Sequence, residues 1–74
     1  MLTTVVVNQI YYRPTLKQSR VQACKVLSMK GLILDYQIED GINKGLKFKY
    51  SVERFKNEFY TNKQDALASI STAA

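Results

Sequence analysis

The sequence predicts a mostly β protein with short C-terminal helices, and three features of the chain indicate this. Segments rich in Val, Ile and Tyr, which favour strands, alternate with turn-forming residues as far as residue 52. Beyond that point the spacing of apolar residues changes from two to about 3.6, the period of a helix. At 74 residues the chain can bury one hydrophobic core, so we expect a single domain over residues 1–74.

The N-terminal part is predicted to form the first strand. Thr3 to Tyr12 is rich in Val, Ile and Tyr without a helical period, which indicates one strand or two short strands bent near Asn8. Pro14 cannot donate a backbone hydrogen bond. We therefore expect the segment from Arg13 to Ser19 to be a loop that ends this strand.

A hairpin is predicted in the centre of the chain. The second strand, Arg20 to Met29, is interrupted by charged Lys25, and a bulge near this residue would reconcile its alternation. Lys30-Gly31 is a tight-turn signal, because Gly adopts a positive φ without steric cost. The third strand follows, and its inward face is expected to carry Leu32, Leu34, Tyr36 and Ile38.

A second hairpin leads to the fourth strand. Residues 46–52 follow a turn-rich loop and alternate strictly between apolar and polar side chains. This alternation places Phe48 and Tyr50 toward the core, and it favours core packing over base stacking for both rings. Lys47 and Lys49 share the opposite, outward face of the strand.

Two short helices complete the predicted fold. Ser51 is suited to be an N-cap, and Phe55 and Phe59 are spaced so that they share one face of the helix that follows. Asn62 and Asp65 form a variant of the capping box at the start of the second helix.

Residues 20–60 resemble a known group of small proteins. The resemblance is carried by Val21–Leu27, Lys30–Gly31, Leu34–Tyr36, Phe48 and Ser51–Phe59. This order of a valine-containing strand, a turn, a strand ending in Tyr and a closing Phe-x-x-x-Phe turn is similar to that of SH3-like small β-barrel proteins of unknown function from prophages and other mobile elements. The resemblance implies a small SH3-like barrel of four to five antiparallel strands, and it carries no functional residues across.

The charge of the chain suggests a polyanionic partner. Eleven Lys and Arg against six Asp and Glu give a net charge of +5, which attracts nucleic acid first and acidic protein surfaces second; the alternative is that this charge only keeps a small domain soluble. The candidate phosphate contacts are Lys47, Lys49, Arg54, Lys56, Arg13, Lys17 and Arg20. The candidate stacking or partner contacts are Tyr11, Tyr12 and Tyr60.

The residue inventory argues against catalysis. The chain has no His, and Cys24 is its single cysteine, so the commonest general base and the commonest metal ligands are absent. Its three Gly residues do not form a phosphate-binding pattern. We expect no enzyme activity, no metal and no cofactor. The cysteine usage and the lack of a signal-peptide or membrane-spanning pattern lead us to expect a cytoplasmic protein with no membrane partner.

Two functions remain from different classes. In the first, the protein is a nucleic-acid-binding accessory or regulatory factor that uses a basic strand face to bind DNA or RNA. In the second, it is a protein-interaction module, with an aromatic groove or a strand edge that receives an acidic partner protein. Because a chain of this size buries a modest core, a homodimer is a further expectation.

Overall fold

The computed structural model describes residues 2–15 and 20–73 and has one antiparallel sheet and two helices. The elements are β1 (Ile10–Thr15), β2 (Arg20–Lys30), β3 (Ile33–Ile38), β4 (Lys47–Ser51), α1 (Val52–Glu58) and α2 (Lys63–Ala73). The strands lie in the order β1-β2-β3-β4, so each strand pairs with its neighbour along the chain. The prediction of a mostly β protein with short C-terminal helices is confirmed, and the sheet has four of the four to five antiparallel strands expected.

The first strand is displaced along the chain from its predicted position. It begins at Ile10, after a turn in which Asn8 has a φ of 73°, and it continues through Pro14, which lies opposite Val21. The predicted loop from Arg13 is therefore wrong as far as Thr15, and its remainder, residues 16–19, lies outside the described residues. Proline is tolerated here because β1 is an edge strand, where a missing N–H can face away from the sheet.

A β-bulge in β2 changes which side chains face outward. The register with β3 shifts between Val26 and Ser28, so the bulge lies at Leu27, two residues after its predicted position. Before the bulge the odd-numbered residues face away from the core, and after it the even-numbered residues do. Lys25 and Lys30, which simple alternation would place on opposite faces, therefore share the outer face.

The central hairpin is confirmed with one correction. Gly31 has a φ of 61° in the two-residue turn between Lys30 and Ile33. Leu32 is the other turn residue and is 83% exposed, so the prediction that it lies on the inward face is wrong. The remaining inward residues of the strand, Leu34, Tyr36 and Ile38, are buried as expected.

The core lies between the inward face of the sheet and α1. Ser51 caps this helix by accepting a hydrogen bond from the Arg54 N–H, as predicted. The helix places Phe55 and Phe59 in the core, with their rings stacked at a centroid distance of 3.8 Å. Tyr11 meets Phe55 edge to face at 5.6 Å. The other buried members of this cluster are Leu2, Val5, Cys24, Val26, Leu34, Tyr36 and Ile38.

The sheet is open rather than closed into the barrel that the resemblance implies. In the described part of the chain, β1 and β4 are the two edges of the sheet and no ladder joins them. After β4 the chain enters α1, and Phe55 of this helix and Phe59 at its C-cap are fully buried in the core. A single bridge then returns to the edge of β1, where Tyr12 and Tyr60 exchange two backbone hydrogen bonds of 2.8 Å.

The second helix packs on β1 and β2. Asn62 begins it as predicted, because its side-chain oxygen accepts the Asp65 N–H at 2.8 Å while its amide donates to the Asp65 carboxylate at 3.1 Å. Ala66 of this helix is fully buried, and neither Ala66 nor the buried Val21 of β2 belongs to the main core cluster. Within the described residues, neither helix is long and apolar enough to span a bilayer.

Candidate nucleic-acid interface

Four lysines share the outer face of the sheet, opposite the core. We call this set, Lys25, Lys30, Lys47 and Lys49, the lysine face. Two observations establish its orientation: the alternate residues of β2, β3 and β4 enter the core, and the bulge at Leu27 brings both lysines of β2 to the same side.

The cross-strand register arranges the lysine face in three rows. The first row runs Lys25, Gln37, Lys47; the second runs Ser28, Asp35, Lys49; the third runs Lys30, Ile33, Ser51. Neighbouring strands lie about 4.8 Å apart and successive outward residues of one strand about 6.6 Å apart. Four ammonium groups are thus anchored within a patch of only three strands.

Only one acid lies within these rows. Asp35 accepts a hydrogen bond from the Ser28 hydroxyl at 2.9 Å, and its carboxylate is 3.7 Å from the Lys49 ammonium. The Lys49 side chain is 81% exposed, so water screens this ion pair and the lysine stays available to a ligand. Within the three rows, four lysines against one carboxylate leave a net positive charge; two further acids, Glu39 and Asp40, lie beside Ala23 at the adjoining end of the sheet.

Two other predicted cations are held by an internal partner. Glu58 accepts hydrogen bonds from Arg13 at 3.1 Å, from Arg54 at 3.2 Å and from the Tyr50 hydroxyl. Arg13 also lies over the rings of Tyr50 and Phe59, at 5.6 Å and 5.5 Å from their centroids, and Arg54 lies 4.9 Å from that of Tyr50. We call Arg13, Tyr50, Arg54 and Glu58 the Glu58 cluster.

The electrostatics of the Glu58 cluster favour the ionised carboxylate. The hydrogen bond from Tyr50, together with the two arginines, holds the pKa of Glu58 below its usual value. Burial and the hydrogen bond to Glu58 raise the pKa of Tyr50. The cluster joins β1 to β4 and α1 across the gap between the two sheet edges, which we call the open side of the sheet. The two arginines therefore help to hold the fold together.

The other predicted cations do not extend the lysine face. Arg20 is exposed at the start of β2, at the opposite end of that strand from Lys30. Lys56 is half-buried on α1, where its carbonyl accepts the Leu2 N–H at 2.8 Å. Lys17 lies outside the described residues. Of the seven predicted basic contacts, the structure brings together Lys47 and Lys49 on this face.

The three predicted stacking residues lie away from the lysine face. Tyr11 is 2% exposed in the core, where its hydroxyl accepts the Val6 N–H at 2.8 Å, so the expectation that its ring is available to a ligand is wrong. Tyr11 is the second residue of β1, and the alternation of this strand points its side chain into the core. Tyr12 and Tyr60 are half-buried and joined by the bridge at the β1 edge, three strands from β4.

An aromatic ring that the sequence assigned to the core is instead partly exposed. Phe48 packs against Tyr36 at a centroid distance of 5.6 Å, yet 43% of its surface is open to solvent, and its neighbour Leu46 is 49% exposed. Both face the inward side, as alternation predicts. They are exposed because β4 is an edge strand and no described element covers them.

A shallow depression lies at the other end of the sheet. Its volume is about 220 Å³, and it is lined by Leu2, Leu32, Val52, Glu53, Lys56 and Asn57.

The described residues contain no buried side-chain polar atom without a hydrogen-bond partner and no group of three potential metal ligands. Burial raises the pKa of the Cys24 thiol to about 12, which keeps it protonated and unreactive at neutral pH.

Comparisons with family models, with characterised proteins and with solved structures found no match to this chain. The lysine face, the Glu58 cluster and the edge of β4 are therefore the basis for assigning a function.

Proposed function

We propose that this protein is a non-enzymatic nucleic-acid-binding protein that contacts backbone phosphates through the lysine face. The observation that carries the proposal is the convergence of four lysines, with one acid among them, on the outer face of three strands. Lysine ammonium groups contact phosphates as point charges, and each contact releases counterions from the nucleic acid.

The composition of the face supports binding without strong sequence preference. Of its remaining polar members, Gln37 is an uncharged hydrogen-bond former that suits phosphate and sugar oxygens, whereas the Ser28 hydroxyl donates to Asp35 and the Ser51 side chain caps α1. It has no arginine, the residue that most often reads guanine by a bidentate contact. An accessory or regulatory factor that recognises the backbone is the function that fits this chemistry.

The open edge of β4 favours a second candidate function, the pairing of a partner strand. Ile38 donates to the Leu46 carbonyl and Val52 donates to the Leu32 carbonyl, both at 2.9 Å. Because bonded and non-bonded pairs alternate in an antiparallel ladder, the backbone groups of Lys47 and Lys49 point away from β3. An extended segment with acids opposite these lysines could pair there. Pairing of this edge with the same edge of a second copy of the protein is unfavourable, because lysines would lie opposite lysines.

The test is binding of fluorescent single-stranded and duplex oligonucleotides at about 50 and 200 mM salt, a range over which affinity based on phosphate contacts falls steeply. The variant is the double change Lys47→Glu and Lys49→Glu. Its matched control is Lys44→Glu and Lys63→Glu, which alters the net charge equally at exposed positions outside the three rows.

We expect wild-type affinity to fall with salt and the Lys47/Lys49 variant to lose at least tenfold more affinity than the control. Equal losses in both variants would show a non-specific response to net charge and would reject the lysine face as the site. Absence of binding at low salt would reject nucleic acid as the ligand. Binding of an acidic, strand-forming peptide would then support the second candidate.

A further inference from the structure

We propose that the ligand is single-stranded nucleic acid and that one base stacks on Phe48 at the open edge of β4. This inference rests on the proposed function and names the class of nucleic acid that the same site binds. It is carried by three observations on β4: its free edge, the exposed ring on its inward side and the two lysines on its outward side.

The edge position makes both sides of β4 reachable by one ligand. Within the described chain no element pairs with its outer edge. The backbone N–H groups of Lys47 and Lys49 point out along this edge, and their side chains stand on the lysine face. A flexible strand that follows β4 can place phosphates against these donors while an unpaired base reaches around the edge to Phe48.

The ring of Phe48 is fixed in place before a ligand arrives. It packs at 5.6 Å and a tilt of 35° against Tyr36, which is almost completely buried and in turn contacts Phe55 and Phe59. A ring held by the core loses little conformational freedom on binding. The 43% of its surface that remains exposed offers apolar area for a base.

The neighbouring ring on the same side of β4 is not available. Tyr50 is half-buried, its hydroxyl is bound to Glu58, and the guanidinium of Arg54 lies 4.9 Å from its centroid. The Glu58 cluster therefore limits the stacking site to one ring and one base.

A duplex cannot use this site, because its bases are paired and stacked inside the helix. Unpaired bases can be splayed out onto aromatic side chains, and such stacking tolerates any base because every base has a π face. The lysine face alone would accept either form through its phosphates. Phe48 therefore gives the protein a preference for single strands.

The test compares single-stranded and duplex oligonucleotides of equal length with wild-type protein, Phe48→Leu, Phe48→Tyr and Leu46→Ala. Phe48→Leu removes the aromatic face and keeps an apolar side chain, whereas Phe48→Tyr keeps the ring. Leu46→Ala is the matched control, because it removes an apolar side chain of comparable exposure, 49% against 43%, that has no π face.

We expect wild-type protein to prefer the single strand and Phe48→Leu to weaken single-strand binding roughly tenfold, within the range for one base–aromatic stack. Duplex binding should stay within about twofold, and Phe48→Tyr and Leu46→Ala should bind as wild type does. The inference is overturned if Phe48→Leu weakens both forms equally or neither, or if wild-type protein prefers the duplex. Loss of binding in the Lys47/Lys49 variant alone would then leave the proposed function intact.

Discussion

The Glu58 cluster and the lysine face use positive charge for opposite purposes. In the Glu58 cluster, one carboxylate receives hydrogen bonds from two arginines and a tyrosine, and these bonds connect β1, β4 and α1. On the lysine face, four lysines share three rows with one carboxylate, Asp35, whose single ion pair, to Lys49, is long and exposed. The arginines already have their anion, whereas the lysines can accept one from a ligand.

The difference between the two regions shows why net charge does not identify a binding site. Arg13 and Arg54 contribute to the +5 of the chain as much as Lys47 and Lys49 do. Arg13 and Arg54 both already pair with Glu58, so a phosphate would have to compete with this carboxylate for them. Substitutions in the two regions should therefore change different properties.

The largest expected effect on stability comes from Glu58→Ala. This change removes the acceptor of three charge-assisted hydrogen bonds and leaves two arginines without their anion, so we expect the free energy of unfolding to fall by about 2 kcal/mol. Urea denaturation measures this change. The matched substitution Asp35→Ala should cost less than about 0.5 kcal/mol, and an equal cost at both positions would erase the distinction between the regions.

Lowering the pH should reproduce part of this loss of stability in the wild-type protein. Because the folded-state pKa of Glu58 lies below its usual value, ionised Glu58 stabilises the protein above the unfolded-state pKa of about 4.3. This contribution disappears as the pH falls through the lower, folded-state pKa. Denaturation curves between pH 7 and 3 should show the stability gap between wild type and Glu58→Gln narrowing below about pH 4. A gap that stays constant over this range would contradict the assignment.

A smaller effect, on binding affinity, is expected when the carboxylate among the lysines is neutralised. Asp35→Asn keeps the size of the side chain and removes the only negative charge from the three rows. We expect affinity for oligonucleotides to rise about two- to fivefold, because the change removes one screened repulsion between Asp35 and the phosphates. Titration by fluorescence anisotropy measures the change. Weaker binding would indicate that Asp35 helps to hold the ligand.

Much of the architecture followed from local sequence patterns. Alternation identified the core-facing residues of β3, and the spacing of Phe55 and Phe59 identified α1 together with its cap at Ser51. These signals depend on neighbours along the chain and need no knowledge of the tertiary structure. Pro14 indicates a loop in the sequence, yet β1 continues through it. The sequence does not show that this strand lies at an edge of the sheet, where proline is tolerated.

The site was harder to predict because it depends on one bulge and one edge. The break in alternation at Lys25 indicated a bulge, but its displacement to Leu27 decides that Lys25 and Lys30 share a face. Phe48 lies on the same side of the sheet as Tyr36, yet it is exposed because no described strand pairs beyond β4. Sequence alternation gives the face of a side chain and does not tell whether another element covers it.

The measurement that tests the central claim most directly is the salt dependence of single-strand affinity in two variants. For a single strand, the slope of log K against log salt becomes shallower by about 0.7 for each phosphate that the protein no longer neutralises. We predict a slope shallower by about 1.4 for Lys47→Gln/Lys49→Gln and an unchanged slope for Arg54→Gln. An unchanged slope in the lysine variant, or an equal reduction in Arg54→Gln, would contradict the assignment of phosphate binding to the lysine face.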